Sequence, residues 1–197
     1  MADDIRSARE IALEKIAGLG GVTEEERLKW KYIPQGERLA SKCLNAGIDL
    51  AVELGRYEKK ARVYLVEGAE LVLLAGIGLP KNGAAKSKNE RAMDALKSIK
   101  SNKSAVAGVF DDIKRIFDHY AGQGEEQRKQ ACESLKADFK ARLQQAVEQQ
   151  LGSVAGMEIN VEKLPQFQEE WRRTLAQLDA QYIGLLEEYK QELRSIK

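Results

Sequence analysis

An all-α fold is the class that this sequence predicts, and three observations predict it. Residues with strong helix propensity are abundant, whereas proline occurs only three times in 197 residues. Apolar residues recur at spacings of three and four along most of the chain, which is the periodicity of an amphipathic helix. Only residues 157–161 alternate like a strand, and no second candidate strand exists to pair with them. We therefore expect an elongated bundle of six to eight helices, with long antiparallel helices.

The apolar run at residues 71–79 is the expected centre of the core. It is the longest stretch without a charged or strongly polar side chain, and Pro80 ends it. As a helix it would span about 15 Å, half of a bilayer core, so it does not predict a membrane span. A helix that is apolar on all sides must be buried on most of them. We expect Leu73 and Leu74 to be buried, covered by the last helix and the helix at residues 106–120.

The elements before this run are predicted from capping residues and helix breakers. Residues 3–19 predict a first helix, ended by the glycines that follow. Thr23 and Glu26 form a capping-box pattern that begins a short second helix. We expect this helix to end near Ile33, because the residue before a proline is disfavoured in helices. A third helix is expected at residues 36–54.

The elements after Pro80 include the clearest pattern in the chain. A helix at residues 87–100 precedes one at residues 106–120, whose apolar side chains alternate at three and four. A long charged helix is expected at residues 125–151, where the apolar positions are four residues apart. This stripe turns by about 40° at each step, so the helix should contact different partners along its length.

The C-terminal part predicts the domain organisation. Residues 152–164 should form an extended connector, and Pro165 suits the first turn of a last helix. We therefore predict a main helical domain at residues 1–151, the connector, and a C-terminal amphipathic helix at residues 165–197. This helix should be coiled-coil-like, because its apolar spacing of three and four persists for more than three heptads.

Composition excludes several classes of partner and compartment. Lysine plus arginine number 32 and aspartate plus glutamate 31, so no global charge favours nucleic acid or an anionic membrane. Cys43 and Cys132 are too few and too distant to predict a disulfide framework or a metal site, and two buried, reduced thiols are expected. The N-terminus lacks an apolar signal core. These features predict a cytoplasmic protein without a transmembrane segment.

No catalytic motif and no cofactor site are apparent. The only histidine, His119, lies near Arg115 and Asp118 on one expected helix face. We expect solvated ion pairs on this face, and a small catalytic site around His119 is the less favoured alternative. The glycines at 76 and 78 lack the rest of a phosphate-binding fingerprint, since Lys81 stands where a third glycine is needed. We therefore expect no enzyme, no metal and no cofactor.

A basic segment at residues 81–103 is the first candidate binding surface. Seven basic residues face only Glu90 and Asp94 there, which favours contact with phosphates or anionic lipid headgroups. The segment has no aromatic residue on which bases could stack. The candidate anion contacts are Lys81, Lys86, Lys88, Arg91, Lys97, Lys100 and Lys103.

The last helix carries the second candidate surface. Its apolar stripe consists of Trp171, Leu175, Leu178, Tyr182, Leu185, Tyr189 and Ile196. Either packing within the chain or binding to another chain would bury this stripe, and the sequence does not decide between them. Because catalytic constellations are missing and amphipathic surface is in surplus, we favour a non-catalytic interaction, scaffold or assembly protein that forms a homo-oligomer. Nucleic-acid or anionic-membrane binding through residues 81–103 is the alternative.

Overall fold

The computed structural model describes residues 23–151 and 160–196, and it describes no side chains for residues 147–151. Within these ranges the chain forms seven α-helices and one 3₁₀ turn, Val161–Lys163. The helices are α1 (Glu24–Ala46), α2 (Leu50–Gly55), α3 (Lys59–Gly76), α4 (Gly83–Ile99), α5 (Lys103–Ala121), α6 (Gln123–Leu151) and α7 (Pro165–Ser195). The predicted all-α class is confirmed. The predicted helix at residues 3–19 and most of the connector at 152–164 lie outside the described residues.

Two compact units divide the described chain. The first consists of residues 23–76 and Arg91–Ile99, and the second of Ile77–Glu90 and residues 100–196. Helix α4 therefore contributes its first half to the second unit and its second half to the first. The predicted division after residue 151 stays a prediction.

Helix α1 corrects one prediction and confirms another. The capping box is present: the Glu26 amide donates to Thr23 Oγ1 at 3.2 Å, and the Thr23 amide donates to Glu26 Oε2 at 2.8 Å. The expected end near Ile33 is wrong, because α1 continues through Pro34 to Ala46. Proline inside a helix removes one hydrogen bond and costs about 3 kcal/mol. Tertiary packing must therefore offset this cost.

That packing is a close antiparallel crossing of α1 and α3. A Cβ atom placed on Gly36 would lie 2.8 Å from the carbonyl carbon of Leu65, and one placed on Gly68 would lie 2.9 Å from the carbonyl carbon of Ile33. Such distances leave no room for any side chain, so the two backbones are in direct contact. The pairs run in opposite directions along the two helices, which makes the helices antiparallel.

Pro34 lies on the side of α1 that faces away from this contact. Pro34 and Trp30 are exposed, whereas Gly36, Ala40 and Cys43 are buried. The carbonyl that loses its helical donor to Pro34 is that of Trp30, four residues earlier. Because this residue is exposed, water can supply the missing hydrogen bond. The break therefore costs the buried face of α1 no contact.

The predicted third helix at residues 36–54 is divided. Gly47 ends α1 with a φ of 68°, a left-handed conformation that favours glycine. Asp49 then caps α2, accepting hydrogen bonds from the amides of Ala51 and Val52 at 2.9 and 3.1 Å. A glycine followed by a capping aspartate indicates that one helix ends and another begins, although the apolar spacing continues across both.

The predicted core run is confirmed as buried. Leu73 and Leu74 at the end of α3 are 0% and 1% exposed, and Ile77 beyond the helix is also fully buried. The neighbour that packs along α3 is α1, through the glycine crossing. The last helix and the Val106–Tyr120 region, expected to cover the two leucines, belong to the second unit.

In the second unit, α7 packs against α5, α6 and the 3₁₀ turn. The apolar stripe of α5 is buried as its spacing predicts, including Val106, Val109 and Ile113. Farther along, Phe139 of α6 meets Phe167 of α7 edge to face, with ring centroids 5.5 Å apart. Partly buried Leu135, Leu143 and Trp171 surround this pair.

Across residues 23–151 and 160–196, none of the helices combines the length and apolar character that a bilayer crossing requires.

The glycine crossing predicts opposite effects for two glycine-to-alanine changes. Gly68→Ala should lower the free energy of unfolding by about 1–3 kcal/mol, because the added methyl group meets backbone that no rotamer change can move. Gly108→Ala in α5 is the matched control: a Cβ there meets nothing within 4 Å. It should raise stability by about 0.5–1 kcal/mol, the ordinary gain in helix propensity. Urea denaturation followed by circular dichroism measures both, and equal effects of the two changes would contradict the crossing.

Candidate functional site

The seven candidate anion contacts lie in three different structural environments. Lys86, Lys88, Arg91, Lys97 and Lys103 are exposed. Lys81 forms an ion pair with Asp179 of α7, with Nζ 2.7 Å from Oδ2. Lys100 is 7% exposed, and its ammonium donates to the carbonyl of Ile196 at the end of α7. A cation at a helix C-terminus stabilises the orphan carbonyls there, so Lys100 has a structural role.

The exposed basic residues of α4 do not form one stripe. At 100° per residue, Lys86 and Lys97 are about 20° apart around the helix, and Lys88 and Arg91 are about 60° apart. The two pairs lie on different sides, and buried Ala92 and Leu96 lie between them. A continuous phosphate backbone would contact one pair at most. Contact of this segment with nucleic acid or membrane stays a prediction.

A cavity of about 480 Å³ in the second unit brings together residues from four helices and one loop. The loop before α4 supplies Lys81 and Asn82, and the first turns of α4 supply Gly83 and Lys86. The end of α5 supplies Tyr120, the start of α6 supplies Arg128, and α7 supplies Leu175 and Asp179. The cavity therefore lies where the N-terminus of α4 faces the other three helices of this unit.

The ion pair of Lys81 and Asp179 forms one wall of this cavity. Asp179 is 4% exposed, whereas the Lys81 side chain is 59% exposed. The hydrogen bond to Asp179 raises the pKa of Lys81 above the ordinary lysine range. The stabilisation linked to the raised lysine pKa is present in full below the ordinary lysine range and is lost as the pH rises through the folded-state pKa. The Tyr120 hydroxyl is a second donor beside this buried carboxylate.

Tyr120 and Arg128 line the cavity as well. The Arg128 guanidinium lies over the Tyr120 ring at 3.9 Å from its centroid, and it donates to the Tyr120 carbonyl at 3.0 Å. Stacking and hydrogen bonding together hold the cation in place. Burial raises the pKa of the Tyr120 hydroxyl, and the Asp179 carboxylate raises it further. Tyr120 therefore stays protonated at neutral pH.

Side chains of both charges line this cavity: Lys81, Lys86 and Arg128 are cationic, and Glu125 and Asp179 are anionic. The N-terminus of the 17-residue helix α4 adds a partial positive charge to those of Lys86 and Arg128. Among the residues that the structure describes, no three histidine, cysteine, aspartate or glutamate side chains come together as metal ligands. Both cysteines are free: Cys43 is buried as expected, and Cys132 is only partly buried.

The predicted interaction face of α7 stays half-covered. Leu185 is 47% exposed, and the other six members of the stripe are partly buried. The most buried positions of α7 form another stripe, which includes Phe167, Leu186 and Leu193. The predicted interaction stripe is therefore not the part of α7 that is most deeply buried by packing within the chain.

A shallow groove of about 450 Å³ lies beside this face, between α5 and α7. Ile116, Tyr182, Leu185 and Tyr189 supply its apolar surface. His119 lies here as well, is exposed, and shares a hydrogen bond of 2.9 Å with the Tyr182 hydroxyl through Nδ1. This partner holds the imidazole at the rim of the groove. Catalysis by His119 stays an untested alternative.

Sequence reasoning missed Asp179, Tyr120 and Arg128 as members of one site. They belong to three helices, and only tertiary packing brings them beside the predicted Lys81. One signal was present for Asp179: positions 175, 179, 182, 186, 190 and 193 also follow a spacing of three and four. That stripe contains Asp179 and Lys190, so it is a weaker core signal than the neighbouring stripe, whose one polar position is Glu192.

Removing one partner of the ion pair should be more harmful than removing both. Lys81→Met leaves the buried Asp179 carboxylate without its cationic partner, and we expect a loss of about 1–3 kcal/mol in unfolding free energy. Adding Asp179→Leu should recover most of that loss, because no uncompensated charge remains. Urea denaturation at pH 7 measures both variants. Lys88→Met, at an exposed position outside the cavity, is the control, and an equal loss there would contradict the pairing.

Comparison with known proteins assigns the chain to a family but indicates no activity. No curated protein and no solved structure shows significant similarity to the chain. One family model matches residues 51–195, and its description is a family of unknown function, DUF6657. The match extends from α2 through α7 and includes the cavity and the groove. Because it covers well over half of the sequence, the chain belongs to this family of unknown function.

Proposed function

We propose that this protein is a non-catalytic helical assembly protein that binds a second copy of itself through the groove between α5 and α7. One observation carries the proposal. The groove remains uncovered after α7 has packed on α5 and α6: Leu185 is 47% exposed, and Ile116, Tyr182 and Tyr189 line the same groove. Contiguous exposed apolar surface typically marks an interaction site.

The charge of the groove supports a second copy as its occupant. A twofold interface brings each surface patch against itself, so a patch with net charge would repel its copy. Here Asp112 and Arg115 neutralise one another, with 2.8 Å between Oδ1 and the guanidinium nitrogen. Gln127 and Gln181 at the rim carry amides that both donate and accept hydrogen bonds. The groove is therefore compatible with itself.

The length of α7 also supports this occupant. Its 31 residues extend for about 46 Å, and Leu178, Tyr182, Leu185 and Tyr189 recur at spacings of four and three. Two such helices could pair antiparallel over several turns. A stable interface needs about 800 Å² from each partner, and we expect the helix pair to reach this area together with flanking α5 residues.

The alternative of nucleic-acid or anionic-membrane binding has weaker support. Six of its seven candidate side chains are exposed, but one of these, Lys81, is paired with Asp179, and Lys100 is buried. Lys86 and Lys97 lie on a different side of α4 from Lys88 and Arg91, and Lys103 lies in α5. The free thiols of Cys43 and Cys132 fit the cytoplasmic location that we propose for the assembly.

Solution mass tests the proposal. At about 50 μM, in excess of a micromolar dissociation constant, light scattering after size exclusion should give twice the chain mass of 22.0 kDa. Leu185→Glu should reduce the particle to a monomer, because it places a charge in the apolar interface.

Ala176→Glu is the matched control. Ala176 is exposed on α7, and nine residues of separation place it about 180° from Leu185 around the helix. This variant should remain dimeric. A parent protein that is monomeric at this concentration, or a control variant that dissociates as readily as Leu185→Glu, would overturn the proposal.

A further inference from the structure

His119 is the only histidine in the chain, and it lines the groove that we propose for self-association. Histidine is the residue type whose charge ordinarily changes between about pH 5 and pH 8. The His119 ring faces α7: its centroid lies 5.7 Å from that of the Tyr182 ring, and Nδ1 lies 2.9 Å from the Tyr182 hydroxyl oxygen. A proton that binds to this imidazole in mildly acidic solution therefore adds a charge at the groove.

The α5 side chains that line the groove have no net charge while His119 is neutral. Asp112 and Arg115 neutralise one another in an ion pair of 2.8 Å. Asp118 precedes His119 by one residue, so it points about 100° away around the helix, and it is not among the residues that line the groove. A proton on His119 therefore gives the groove a net positive charge.

Helix α7 supplies no anion within the groove to pair with that charge. Its lining residues, none of which is a carboxylate, are Gln181, Tyr182, Leu185 and Tyr189. Asp179 lies one turn before Tyr182, but it is buried and is paired with Lys81.

Helix α6 supplies a cation close to the same point. Its lining residue is Gln127, and Arg128 follows it. Arg128 Nη1 and the Tyr182 hydroxyl oxygen lie 3.2 and 2.8 Å from the position that a Cβ atom on Gly124 would occupy, so the two groups are near each other. An imidazolium that is hydrogen-bonded to Tyr182 would therefore be repelled by Arg128.

We infer that protonation of His119 opposes self-association through the groove, so that the paired chains separate in mildly acidic solution. The inference rests on the proposed function, because it concerns the regulation of the same groove. Closing the groove removes water, and transferring an imidazolium into that interface costs free energy unless an anion pairs with it. A twofold interface contains two copies of His119, so this cost is incurred twice.

The hydrogen bond to Tyr182 adds to the cost. A neutral imidazole can accept the Tyr182 hydroxyl proton at Nδ1, whereas an imidazolium has two donors and no acceptor. After protonation the hydroxyl must donate elsewhere, and the Arg128 guanidinium beside it is also only a donor. Water can accept this proton in the separated chain, but a closed groove excludes much of that water.

Sedimentation equilibrium of the full chain at about pH 7.5 and about pH 5.5, at one ionic strength, tests the inference. The dissociation constant of the parent dimer should rise by about tenfold or more at the lower pH. Circular dichroism at both pH values confirms that the chain remains folded.

Three variants assign the effect to His119. His119→Gln retains a hydrogen-bonding side chain without the titrating proton, so its dissociation constant should be the same at both pH values. His119→Lys carries a permanent charge and should already weaken the dimer about tenfold at about pH 7.5. Ala176→Lys is the matched control, because it places the same charge on the opposite side of α7 from Leu185 and should leave the dimer unchanged.

The outcomes separate this inference from the proposed function. A parent dimer with the same or a lower dissociation constant at about pH 5.5 would overturn the inference and leave self-association intact. A pH response that persists in His119→Gln, or equal effects of His119→Lys and Ala176→Lys, would do the same. A parent that is monomeric at both pH values would overturn the proposed function itself.

Discussion

The contact of α1 with α3 is the constraint on which the first unit depends. Gly36 and Gly68 allow the two backbones to touch, and no other residue type would fit at either position. Close approach brings Ala40 of α1 and Leu65 of α3 to zero exposure. The leucines at 73 and 74 continue the same buried helix to its end. Many small contacts of this kind are individually weak, but together they exceed the local cost of an unfavourable helix residue.

Local signals in the sequence predicted the fold class and several boundaries. The capping box at Thr23, the buried stripe of α5 and the start of α7 at Pro165 all agree with the structure. Each of these depends on residues within one or two turns of each other. Helix capping and apolar spacing are local properties, so the sequence alone is sufficient to predict them.

Pro34 shows where local signals fail. Proline inside a helix costs about 3 kcal/mol, which is small compared with the packing energy of a whole helix face. The two glycines that offset it are 32 residues apart, and nothing in the sequence shows that they face one another. The candidate site has the same character. Lys81 was predicted as an anion contact from its neighbours in sequence, whereas Asp179, Tyr120 and Arg128 join it only through the packing of three helices.

Native-state hydrogen exchange tests most directly whether the α1–α3 contact makes α1 one helix through Pro34. The account predicts that amides before the proline, at Tyr32 and Ile33, exchange with the same opening free energy as amides after it, at Ala40 and Cys43. Both groups should match the buried amides of α3, at Leu65 and Ala69, because all of them open as one unit. The contrary result is faster exchange before Pro34, with an opening free energy that is several kcal/mol lower than after it. Residues 24–33 would then form a separate helix, and the glycine contact would not be what holds α1 together.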